Sequence, residues 1–203
     1  MASSERAHSF FLLKKFNTRL DVVRECIASA LAQDWEPLEI LVVDDGSTDE
    51  SPAIIRSFGD RIRTFSTAHQ GGNVARNLLL REARGSWIQY LDADDYLLPG
   101  KISRQLEEGG GLSEVDVLCG PVWREDYTRE RLRSLAPDPV VRPPDPCRQV
   151  LFTLAPQTNG VLWRKTALEA IGGVFCPDAR PDGGSAIATP STSRNPAEEV
   201  PWR

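Results

Sequence analysis

Two short apolar runs, each ending in a cluster of carboxylates, constrain this chain more than any other feature. Leu38-Glu39-Ile40-Leu41-Val42-Val43 is almost continuously apolar and runs into Asp44-Asp45-Gly46-Ser47-Thr48-Asp49. Trp87-Ile88-Gln89-Tyr90-Leu91 follows Gly85 and runs into Asp92-Ala93-Asp94-Asp95. Near-continuous apolar runs of this length, bounded by turn residues, mark strands covered on both faces. Helical patterns lie between them. Val22, Val23, Cys26, Ile27, Ala30 and Leu31 fall at helical spacing within Val22–Gln33. Pro52 to Phe58 reads as a short helix. Asn73 to Arg84 carries Leu78, Leu79 and Ala83 on one side, and Gly85 is the expected stop. With strands expected at Ser9–Phe16 and Ile62–Thr67, four strands alternate with three helices. The expected fold class is α/β: a Rossmann-like, mainly parallel sheet flanked by helices. Ligands in such sheets bind outside the carboxyl ends of the strands, where both acidic clusters fall.

Beyond Pro99 the pattern thins. Lys101–Glu108 reads as a helix closed by three glycines, Val115–Trp123 as a strand, and Arg124–Arg133 as a solvated loop. Pro137–Pro146 is irregular. Arg148–Leu154 reads as a helix, Gly160–Trp163 as a strand, and Lys165–Ile171 as a helix ending at Gly172-Gly173. Residues 174–203 hold five of the fifteen prolines and no periodic apolar pattern, so a disordered tail is expected there.

The totals narrow the function. A formal charge of −5 over 203 residues argues against a general binder of nucleic acid or anionic membranes. Cys26, Cys119, Cys147 and Cys176 show no CxxC spacing and read as reduced thiols in a cytoplasmic protein. No apolar run approaches the ~20 residues of a transmembrane segment; a cytoplasmic protein is expected, with peripheral membrane contact open through a partner or a missing segment.

Asp92, Asp94 and Asp95 crowd three carboxylates into four residues. On a strand, Asp92 and Asp94 would point the same way, with Ala93 opposite. Their repulsion becomes favourable with a hard cation, Mg2+ or Mn2+, and the phosphates it binds. The other reading is a solvated acidic turn. Two acidic strand ends on one crevice suit a nucleotide diphosphate, one carboxylate accepting hydrogen bonds and another holding the cation. Gly71-Gly72 before a helix lets backbone approach an anion, and Arg76 adds positive charge one turn in.

Several motifs in order carry a resemblance. They are Leu-Ala-Gln-Asp-Trp (31–35), Leu-Glu-Ile-Leu-Val-Val-Asp-Asp-Gly-Ser-Thr-Asp (38–49), Gly-Gly-Asn-Val-Ala-Arg-Asn (71–77), Ala-Arg-Gly-Ser-Trp-Ile (83–88) and Leu-Asp-Ala-Asp-Asp (91–95). Together they resemble the nucleotide-binding half of the family 2 inverting glycosyltransferases, with the A-type glycosyltransferase fold. The resemblance implies one domain over 9–173, with a nucleotide-binding half at 9–106 and an incomplete acceptor half at 107–173. It implies that Asp45 contacts the base, that Asp92 lies near the ribose, and that Asp94 binds the metal on the diphosphate. Phe16, Arg76 and Asn77 would shape the same pocket. Such enzymes move a sugar, with inversion, from a nucleotide-diphosphate sugar, here of UDP type, to a glycan or lipid-linked acceptor hydroxyl. A carboxylate base takes the acceptor's proton.

Two departures stand out. Where the family's first strand usually ends in Pro-x-Tyr-Asn, this chain has Lys14-Lys15-Phe16-Asn17. After Gly172-Gly173, where an acidic motif is usual, Val-Phe-Cys-Pro-Asp-Ala-Arg-Pro-Asp follows. Asp178 and Asp182 are then the candidates for the base. Family-like sequence is expected to stop at Gly173, as in a truncated or frame-shifted reading frame. The alternative to a working enzyme is a nucleotide-sugar-binding remnant or partner module that lacks the base. A sugar nucleotidyltransferase would want a Gly-rich basic loop after the first strand, and Phe16–Asp21 is not one.

Overall fold

The structure, a computed structural model, describes residues 8–14, 20–108, 115–125, 135–137 and 158–174. Strands β1 (His8–Lys14), β2 (Leu38–Asp45), β3 (Arg63–Thr67) and β4 (Trp87–Asp92) alternate with helices α1 (Leu20–Leu31), α2 (Ser51–Arg56) and α3 (Gly72–Glu82). Then follow α4 (Lys101–Glu108), β5 (Val117–Cys119), β6 (Trp123–Glu125), β7 (Leu135–Pro137), β8 (Val161–Arg164) and α5 (Lys165–Ala170). One sheet has six strands in the order β3-β2-β1-β4-β8-β5, while β6 and β7 pair as a separate antiparallel ladder.

The chain steps outward from β1 to β2 to β3, then returns to place β4 on the far side of β1. Right-handed crossovers in opposite directions put their helices on opposite faces. The packing agrees. One apolar layer joins Val23, Ile27 and Ala30 of α1, Ile55 of α2 and Ile102 and Leu106 of α4 to Ile40, Val42, Trp87 and Leu91. The other joins Ala75, Leu79 and Leu80 of α3 and Leu168 of α5 to Leu41, Val43, Ile88 and Tyr90. Both faces of β2 and β4 are therefore buried, which is why their sequences do not alternate.

The α/β class with a central sheet flanked by helices holds, and β1 to β4 are parallel throughout. The sheet as a whole is mixed. Strand β8 runs against β4, and β5 runs against β8. The chain enters β8 through the 3-10 turn Thr158–Gly160, beside the carboxyl end of β4, and can only run back along it. The single strand expected at Val115–Trp123 is two, Val117–Cys119 and Trp123–Glu125; the Gly120 N–H donates to Gly160 O at 2.8 Å, one step past the Cys119–Val161 pair, and the chain then leaves β8. Trp123–Glu125 pairs with Leu135–Pro137, so strand structure enters stretches read as a loop and as irregular chain. The helix expected at Arg148–Leu154 and the tail after Val174 lie outside the described residues.

Candidate functional site

The return of the chain to β4 creates a switch point between β1 and β4, the usual place for a ligand in such a sheet. Asp92 is level with Leu13 of β1, and Asp44 is level with Lys14. The acidic ends of β2 and β4 thus lie on one edge, two strand spacings or about 9–10 Å apart. A nucleoside diphosphate spans such a gap.

At the end of β2, Asp44 is buried and its Oδ1 accepts the Ser47 N–H at 3.2 Å, closing the turn. Gly46 has φ +76°, and a Cβ there would lie 3.0 Å from the His69 nitrogen. Only glycine suits that position. His69 itself takes φ +48° on the facing turn. Asp45 ties the two turns together. Thr67 Oγ1 donates to its Oδ1 at 2.6 Å, Gln70 N to Oδ1 at 2.8 Å and Gly71 N to Oδ2 at 2.8 Å. Burial alone would raise the Asp45 pKa. The three hydrogen bonds and the His69 imidazole outweigh it and hold the carboxyl below its ordinary range. Oδ1 thus takes two donors and Oδ2 one, with His69 Nδ1 3.9 Å from Oδ2.

The end of β4 is built by a turn. Asp95 N donates to Asp92 O at 2.9 Å, and this turn, not strand alternation, groups the acids. It brings in Asp95 as well: one oxygen each from Asp92, Asp94 and Asp95 lie within 4.8 Å of one another. From below, the Cys26 thiol donates to Asp92 O at 3.3 Å. Burial, then the charges of Asp95, Asp92 and Asp94, push that thiol's pKa well up, so it stays protonated. From α3, Arg76 Nη2 donates to Asp92 Oδ1 at 2.8 Å and Nη1 to Asn73 Oδ1 at 3.0 Å. Three carboxylates beside one guanidinium leave an excess of negative charge, and three hard oxygens within 4.8 Å of one another are the donor type that Mg2+ or Mn2+ takes. The residues present fit a dication.

The remaining expected residues are distributed differently. Asn77, one position after Arg76, turns to the backbone of Val174. Gly71 caps α3 with φ +94° and no side-chain cap bond, while a Cβ at Gly72 would meet only Arg76 Nη1 at 3.5 Å. The glycine at 71 is thus required by its backbone conformation. Phe16, Asp178 and Asp182 lie outside the described residues. Sequence reasoning missed Thr67, Cys26 and Asn73. Nothing local ties the Thr67 hydroxyl to Asp45, 22 residues away. Nothing local marked Cys26.

The sequence model described as glycosyl transferase family 2 matches residues 15–165. Over 143 residues the chain is 34% identical to an uncharacterized glycosyltransferase of Rickettsia felis, an alignment covering 69% of this chain and 23% of that protein. Over 99 residues it is 38% identical to the succinoglycan biosynthesis protein ExoO of Rhizobium meliloti, covering 48% of this chain and 28% of that one. The chain thus spans about a quarter of the length of these relatives. Among solved structures, Staphylococcus aureus TarS 1–349 in complex with UDP-GlcNAc superposes with TM-score 0.63 at 20% identity, over 83% of this chain and 48% of that one. The mannosyltransferase PcManGT of Pyrobaculum calidifontis, in complex with GDP-Man and Mn2+, gives 0.60 at 18%, over 82% and 47%. At these identities the likeness establishes the fold.

Proposed function

The chain belongs to glycosyl transferase family 2, and on that premise we propose that it transfers a sugar from a nucleotide-diphosphate sugar to an acceptor hydroxyl with inversion. The observation that carries this reading is the pair of acidic strand ends flanking β1, one of them with three carboxylate oxygens within 4.8 Å. Asp45 takes the base, Asp92 the ribose side, and Asp94, with Asp95 beside it, holds Mg2+ or Mn2+. A dication bound there supplies charge neutralisation for the diphosphate that leaves. Arg76 adds a fixed positive charge and orients Asp92. Phe16 stacks on the base. Asn77 spends its side-chain amide on the Val174 backbone instead of on the donor.

Hydrogen-bond supply favours a UDP-type donor. Asp45 Oδ1 already takes two donors and Oδ2 one. Oδ2, with one donor on it and His69 Nδ1 3.9 Å away, suits the single imide N–H of uracil. A guanine edge offers two parallel donors and needs both oxygens.

The acceptor is a glycan or lipid-linked hydroxyl, and Asp178 or Asp182 is the base. No described helix is long and apolar enough to cross a membrane. Cys26 and Cys119 are both unpaired, which fits the reducing cytoplasm. The second reading is binding without transfer; in the described part of the second half Asp116 pairs with Arg164 and Glu169 with Lys165.

Thermal shifts test the site. UDP with Mn2+ should raise the melting temperature by several degrees, GDP with Mn2+ less, and Asp94→Ala should lose the response while melting normally without ligand. No UDP response in wild type would sink the donor site. Release of free sugar from UDP-sugars separates the enzyme from the binding module.

A further inference from the structure

We propose that Asn77 is a positioning residue that clamps the backbone of Val174 beside the donor site and does not itself bind nucleotide. This rests on the donor-site reading above. Asn77 Nδ2 donates to Val174 O at 2.9 Å, and Val174 N donates to Asn77 Oδ1 at 2.7 Å. One side-chain amide thus satisfies both backbone groups of one residue, as a neighbouring strand would.

The turn before Val174 is shaped for this contact. Gly172 N donates to Glu169 O at 3.0 Å and Gly173 N to Leu168 O at 2.8 Å, the Schellman closure of α5. Gly172 accounts for that closure with φ +82°. Gly173, at φ +88°, has a second constraint: a Cβ there would sit 2.5 Å from Asn77 Oδ1 and 3.6 Å from Leu80 Cδ2. The second glycine lets α3 and the outgoing chain approach each other. Val174 then packs its side chain against the apolar layer of α3.

Asn77 directly follows Arg76, whose guanidinium holds Asp92. On adjacent positions α3 therefore carries the group that orients the acidic cluster and the group that fastens the end of α5's turn. Asn77 fixes where the chain leaves the second half relative to the donor. Its loss should slow turnover and spare donor affinity.

The test compares wild type, Asn77→Ala, Asn77→Asp and Gly173→Ala in the full chain. The readouts are UDP affinity with Mn2+, amide hydrogen exchange at Val174, and kcat and KM for donor turnover with a UDP-sugar. Asn77→Ala should keep UDP affinity within about twofold. Val174 should exchange at least tenfold faster, and kcat should fall about tenfold at unchanged KM. Asn77→Asp keeps the acceptor for Val174 N–H but loses the donor, so it should be intermediate. Gly173→Ala should reproduce the alanine variant from the other side. A tenfold loss of UDP affinity in Asn77→Ala with unchanged Val174 exchange overturns the proposal, as does unchanged exchange alone. Wild type that binds UDP but turns over no donor overturns the catalytic part. Wild type that fails to bind UDP sinks the donor-site reading instead, and the Val174 exchange then decides the clamp by itself.

Discussion

Asp45 illustrates how a single residue is set by competing terms. Its surroundings penalise charge, yet three donors face the carboxylate, and hydrogen bonds to a charged group contribute about 1.5–3 kcal/mol each. The donors win, and the pKa falls. A carboxyl lowered in the folded state adds stability above the ordinary carboxylate range, and that stability is lost as pH falls through the folded value. Thr67→Val keeps the shape and removes the 2.6 Å bond. The variant should be about 1.5–3 kcal/mol less stable at neutral pH, with its acid transition moved to higher pH, as urea midpoints between pH 3 and 7 would record. UDP affinity should drop several-fold, because the carboxylate is no longer held in place. Unchanged affinity and an unchanged acid limb would remove Asp45 from the base-binding role.

At the scale of elements, the end of α3 is decided away from the helix. The expected stop was Gly85, but Ala83 already turns to φ −63°, ψ 138°. Glu39, near the amino end of β2, draws the chain away: its Oε1 accepts Arg84 N at 2.5 Å and Gly85 N at 3.2 Å. Its Oε2 pairs with Arg63 of β3, which also holds Glu82 at the last turn of α3. This latch sits at the edge of the sheet opposite the acidic ends. Glu39→Ala should therefore cost about 1–3 kcal/mol in urea unfolding, since two N–H groups lose their acceptor. The melting shift produced by UDP and Mn2+ should stay the same. A variant that is stable but blind to UDP would mean the two edges are coupled in a way this sheet does not explain.

At the scale of the molecule, Lys101 joins the two halves of the sheet. Its Nζ donates to Gln89 Oε1 in the middle of β4, and Gln89 Nε2 donates to Thr158 O, where the chain turns into β8. Burial pushes the Lys101 pKa down to about 7, with Cys119 pulling the other way. The unfolded chain keeps that proton to about pH 10.4. Between these values the unfolded state binds more protons, so stability rises with pH, by up to about 1.4 kcal/mol per pH unit. Cys26 and Tyr90, whose pKa values burial raises, oppose this in alkali. The rise should therefore be clearest from about pH 7 to 8.5. Lys101→Met should flatten it and be the more stable protein at pH 6. A wild-type profile as flat as that of the variant would show that Lys101 does not titrate in this range.

Local signals sufficed for much of this protein. Near-continuous apolar runs marked β2 and β4, helical spacing marked α1 and α3, and the carboxylates after each run placed acid at strand ends. These features depend on neighbours a few residues apart, so the sequence by itself carried them. The reversal of β8, the three donors on Asp45, the Arg76–Asp92 pair and the Asn77–Val174 clamp carried no such signal. Their partners are 22, 16 and 97 residues apart for Asp45–Thr67, Arg76–Asp92 and Asn77–Val174. Such pairs meet only after crossovers of fixed hand have stacked the elements, and so tertiary structure alone decided which polar groups spend their hydrogen bonds on each other and which face the crevice.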